Sequence, residues 1–153
     1  MPNDRNANAV TSPDWSLQAV KNVTFAGGTT NGIGDDGGTQ DPLTLFTVTG
    51  RVLMRVIGFC TVDLAGASAT LEVGTALTTA GLIAQTTATN IDANEIWHDA
   101  TPDASVELST VATQKIVSQD VIMTTATADI TAGAIQFVCY WFPLTPDSKV
   151  VAA

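Results

Sequence analysis

Between Phe46 and Leu64 every even-numbered position is non-polar: Phe46, Val48, Gly50, Val52, Met54, Val56, Gly58, Cys60, Val62 and Leu64. The odd positions carry Thr47, Thr49, Arg51, Arg55, Thr61 and Asp63, interrupted by Leu53, Ile57 and Phe59. A period of two puts one set of side chains on a core face and the other on the outside of a sheet. A helix would scatter the same residues around its circumference. The segment is therefore extended. Run straight at about 3.3 Å per residue it would reach roughly 60 Å, too long for one small domain. A bend or bulge is expected at Gly50 or Gly58, where glycine permits a kink.

Shorter extended segments flank this one. Trp15 to Phe25 places Leu17, Ala19, Val23 and Phe25 on one parity. Downstream, strands are predicted over 69–74 (Leu71 and Val73 inward), 81–87, 105–108, 114–117, 119–125 and 134–142. The 134–142 segment, Ala134 to Phe142, is apolar on both parities, as in strands covered on both faces. Its second cover is expected to be a neighbouring subunit, with Pro143 and Pro146 ending the strand. One helical turn is predicted around Ile91–Trp97, with Asp92 as N-cap and Glu95 three residues on. Thr, Val and closely spaced turn residues make the chain all-β, a single-domain β-sandwich or jelly-roll-like fold. Residues 1–14 are polar, lack periodicity and read as a flexible N-terminal arm ahead of a 15–153 domain. A Gly/Asp-rich loop spans 26–42, where six glycines make regular structure costly.

The chain has 153 residues and a net charge of −9, from 15 Asp and Glu against 6 Lys and Arg. That length suits one domain with a real core. Acidity argues against nucleic-acid binding, which needs clustered positive charge. No apolar run approaches the roughly 20 residues of a membrane span, and the start has no secretory pattern, so no membrane partner and a cytoplasmic folding environment are expected. Cys60 and Cys139 lie far apart in apolar runs and read as buried free thiols; a disulfide stays open if their strands are neighbours.

No catalytic motif is legible, and the chain is read as a non-enzyme without cofactor. His98, the only histidine, precedes Asp99, but no nucleophile elbow accompanies the pair. A single histidine also argues against zinc, and His98 reads as a surface residue. Asp35, Asp36 and Asp41, with Asn31, read as turn chemistry, with loop-bound calcium as the alternative; the EF-hand spacing is absent. Glu72, Glu95 and Glu107 sit on separate elements, so no carboxylate pair follows from spacing. Arg51 and Arg55 fall on the outward face of the long strand. Trp141, with Tyr140 on the doubly apolar strand, is the leading interface candidate, alongside Arg51, Arg55 and Trp15.

Three stretches, Thr44 to Val52, Ala69 to Thr75 and Leu82 to Asp92, followed by Glu95-Ile96-Trp97 and by Ala128 to Gly133 before an aromatic strand, resemble small virion proteins of tailed bacteriophages. The type is the head decoration, or capsid cement, protein. The resemblance implies a β-sandwich or jelly-roll-like subunit, commonly a homotrimer, made in the host cytoplasm and seated on the outer capsid surface. Its implied partners are the major capsid protein and further copies of itself, and its implied role is to stabilise the shell by bridging capsomers. The competing readings are a tail, head–tail connector or fibre-base component, or a carbohydrate-binding β-sandwich using Trp15 or Trp97 as a stacking platform.

Overall fold

A computed structural model of the chain describes residues 17–29, 31–107 and 113–153. The 1–14 arm and Trp15 lie outside the described residues. Eleven strands form two antiparallel sheets packed as a sandwich, with no α-helix among the described residues. In chain order they are β1 (Gln18–Thr24), β2 (Leu43–Thr49), β3 (Val52–Ala65), β4 (Thr70–Thr75), β5 (Thr78–Thr87), β6 (Glu95–Trp97), β7 (Asp103–Ala104), β8 (Lys115–Val117), β9 (Val121–Ala126), β10 (Ala132–Pro143) and β11 (Lys149–Ala152). The first sheet runs β1-β10-β3-β6-β7, with β8 also on β3; the second runs β11-β2-β9-β4-β5.

The long alternating segment is split between the two sheets. It breaks at Gly50: β2 belongs to the second sheet and β3 to the first. Gly50 has φ +72°, and a Cβ there would sit 2.8 Å from the hydroxyls of Ser148 and Thr145. Only glycine meets both demands comfortably. Gly58, the other expected kink, lies inside an unbroken β3. It faces Trp97 across the β3–β6 pair, and its missing side chain makes room for the indole, whose nearest carbon would be 3.3 Å from an added Cβ.

Parity holds along most of β3, where Val52, Met54, Val56, Cys60 and Leu64 are buried. Val62 is the exception, at 54% exposure. The pairing of β3 with β10 slips twice there, from Cys60↔Ile135 to Val62↔Ala134 and on to Ala65↔Ala132. Each slip puts an extra residue in β3, so the first turns Val62 outward and the second brings Leu64 back in. A similar slip at Leu45, between Thr44↔Ile122 and Phe46↔Val121, lets both Leu45 and Phe46 reach the core.

The core between the sheets is filled by fully buried Leu45, Phe46, Met54, Leu71, Ile83, Met123, Ile135 and Phe137, with Trp97 edge-on to Phe137 at 6.1 Å between ring centres. The predicted helical turn at Ile91–Trp97 does not form. A short 3₁₀ turn occupies Ala88–Asn90, and β6 follows. The reciprocal capping bond is still made, Asp92 N–H donating to the Glu95 carboxylate at 2.8 Å, but it closes a tight turn with Asn94 at φ +72°. Of the strand predicted at 105–108, residue 108 lies outside the described residues and 105–107 are not strand, the nearest one being Asp103–Ala104; the pairing of β11 with β2, after Pro143 and Pro146, was not anticipated.

Candidate functional site

β10 is apolar on both parities because its two faces meet different surroundings. Ile135, Phe137, Cys139 and Trp141 point between the sheets. Trp141 is therefore a core residue, 9% exposed, which corrects its reading as an interface anchor. The alternate positions, Val138, Tyr140 and Phe142, face outward with their cross-strand neighbours. Val20, Val138 and Ile57 form one rung across β1, β10 and β3. Gln18, Tyr140 and Arg55 form the next, and Phe142, Leu53 and Ile116 a third. Val20, Phe142 and Ile116 are 42, 53 and 70% exposed. Tyr140 and Arg55, both named from the sequence, are brought together here: the guanidinium lies 5.1 Å from the ring centre, within cation–π reach.

Arg51 is not on this face. It sits at the β2–β3 crossover, exposed, with its N–H donating to Thr145 Oγ1 at 3.0 Å and its carbonyl accepting from Leu144 N–H and the Ser148 hydroxyl. The outward face of the second sheet differs in kind, with Thr47, Thr49, Thr70 and Thr124 beside Glu72 and Lys149. At the far edge of the apolar face, Phe59 and Ile96 border a groove of about 430 Å³ that also takes in Asn94, Glu95 and Ser105.

A second feature was missed in the sequence. His98 follows β6, and its side chain is only 6% exposed, not a surface residue. Its Nε2 lies 2.9 Å from Glu107 Oε2 and 3.6 Å from Asp103 Oδ2, and its Nδ1 is 4.0 Å from Asp99 Oδ2. Asp99 is itself oriented by accepting Thr101 N–H at 2.7 Å. The Asp103 carboxyl is pushed above its ordinary range, first by its hydrogen bond with Glu107, then by partial burial and the Glu107 charge, with His98 acting in the opposite sense. The signal was present as four acid–base side chains within ten positions, but only β7 and its flanking turns fold them onto one imidazole.

The acidic loop uses its carboxylates on its own backbone. Asp35 accepts N–H groups of Gly28 and Gly32, and Asp41 accepts Gly37 N–H at 3.1 Å and Thr125 N–H at 2.9 Å. Asp36 N–H reaches Asp129; Gly34, at φ +105°, accepts Ile130 N–H at 2.8 Å, and Gly27 N–H donates to the Ile130 carbonyl at 2.8 Å. These bonds match the turn-chemistry reading of Asp35 and Asp41. Cys60 and Cys139 are free and buried. Their strands are neighbours, yet Cys60 pairs with Ile135 and Cys139 with Val56. Four residues of offset is about 13 Å, beyond disulfide reach. Burial pushes Cys139 up to about 12; burial, with the charges of Asp63, Glu95 and Asp92, pushes Cys60 up to about 11 against a lowering hydrogen bond to Val62.

No helix of the described residues is long and apolar enough to cross a membrane. No family model, curated protein or solved structure matches the chain.

Proposed function

We propose that the chain is a non-enzymatic assembly module that docks through the outward face of its first sheet, in the manner of the phage-head decoration proteins it resembles. The observation that carries this reading is the exposed Val20, Phe142 and Ile116 on the outward face, around a nearly buried Val138, on a sheet whose counterpart is threonine-rich. Exposed large apolar side chains grouped on one face in this way mark protein contacts. Tyr140 and Arg55, at the centre of the patch, are residue types enriched where interface energy concentrates. On this reading copies of the chain associate as a homotrimer, and the trimer bridges capsomers on the outside of a phage head. Shell expansion would then have to break the added contacts.

The carbohydrate-binding alternative names Trp15 or Trp97 as its stacking platform; Trp97 is fully buried and does not serve, and Trp15 lies outside the described residues. The test combines light scattering with a titration onto purified phage heads, using the wild type and the doubly substituted Val20→Asp/Phe142→Asp. Both positions are exposed in the single chain, so the substitutions should leave its fold intact. We expect a trimer and saturable head binding for the wild type. Both should weaken at least about tenfold in the variant, equivalent to about 1.4 kcal/mol. A wild type that stays monomeric and leaves heads unbound would overturn the reading.

A further inference from the structure

The cluster around His98 is distinct from the docking face in chemistry and goes unused by the proposed function. Three carboxylates from the same ten-residue stretch converge on one buried imidazole. Zinc-class ions are held by histidine nitrogen and carboxylate oxygen at about 2.0–2.1 Å, so ligand atoms around a tetrahedral ion stand about 3.3 Å apart. The distances from His98 Nε2 to Glu107 and Asp103, 2.9 and 3.6 Å, bracket that edge. The donor atoms of His98, Asp99 and Asp103 also lie within 4.8 Å of one another. Asp99 Oδ2 lies 4.0 Å from the other ring nitrogen, too far for a hydrogen bond, and places a negative charge beside the ring. The imidazole is nearly buried while Asp103 and Asp99 are 34 and 53% exposed, so the rigid ligand lies inside and an entry path exists on the carboxylate side.

We infer that His98 Nε2, Asp103 and Glu107 form a site for a divalent transition ion of the zinc class, with the Asp99 carboxylate adding negative charge beside the ring. A mixed nitrogen and oxygen set favours such an ion over magnesium or calcium, which take all-oxygen sites. The site would tie the turns on either side of β7 to the end of β6, an anchoring role with no reaction attached. It does not depend on the docking face, and its test is separate from the head-binding titration.

Titration of the full-length chain with zinc by calorimetry should give one ion per chain. His98→Ala should weaken binding at least about 100-fold, and Asp99→Asn, which removes only a nearby charge, by less. X-ray absorption at the zinc edge of the wild type needs no substitution and should show one imidazole with oxygen neighbours and no sulfur. Asp103→Asn, checked for native circular dichroism, serves if His98→Ala fails to fold, and it should lose the same ion. The inference is overturned if zinc does not bind, if sulfur from Cys60 or Cys139 appears in the coordination shell, or if a folded His98→Ala or Asp103→Asn protein binds zinc as the wild type does.

Discussion

Thr86 shows how one hydroxyl can matter in an apolar core. It is 3% exposed and accepts the Trp97 indole N–H at 2.9 Å, while its own proton goes to the carbonyl of Ala84 or Asp99. Thr86→Val keeps the shape and strands the indole donor. The expected loss is about 1–3 kcal/mol, measured by urea unfolding. The thiols give a pH signature. In the unfolded chain they ionise near pH 9, and in the fold only near 11 for Cys60 and 12 for Cys139. Between those values the unfolded state holds fewer protons, so stability falls as pH rises above about 9. Unfolding midpoints at about pH 8 and about pH 10.5 should differ, and by less in Cys139→Ala. Equal pH dependence in the two proteins would show that Cys139 contributes nothing to it.

At the scale of elements, the 26–42 loop is held like a strand without being one. Asp41 is its clasp: one carboxylate oxygen accepts from Gly37 within the loop and the other from Thr125 on β9. Asp41→Ala frees both donors, one of them on a strand through the middle of the second sheet. We expect a loss of about 1–3 kcal/mol and faster amide exchange at Thr125, read by hydrogen-exchange NMR. Unchanged exchange there would place the loop's anchorage at Asp36–Asp129 and Gly34–Ile130 instead. The loop's length and composition were legible in the sequence. The identity of its clasp was not, because the partner strand lies 84 residues away.

At the scale of the molecule, the sheets are joined by a chain that passes directly from one to the other at Gly50, and Leu45, Met54, Leu71 and Phe137 share one core. Neither sheet buries its inner face alone. Unfolding should therefore be a single transition, with tryptophan fluorescence and far-ultraviolet circular dichroism giving the same midpoint. Two resolved transitions would mean that the β6–β8 edge of the first sheet melts separately. The sequence by itself determined that the chain is β and, Val62 apart, which residues of β3 and β4 face inward, because period-two patterning is local and needs no partner strand. It also carried Tyr140 and Arg55 as interface candidates, but without linking them. The tertiary structure decided what depends on register. It sent Trp141 inward and left Val138, Tyr140 and Phe142 outward. It turned Val62 out through one slip against β10 and brought Leu64 back in through a second, and it gathered Asp99, Asp103 and Glu107 around His98. Alternation says that two faces exist; only the packing of one sheet on another says which of two apolar faces is left to solvent.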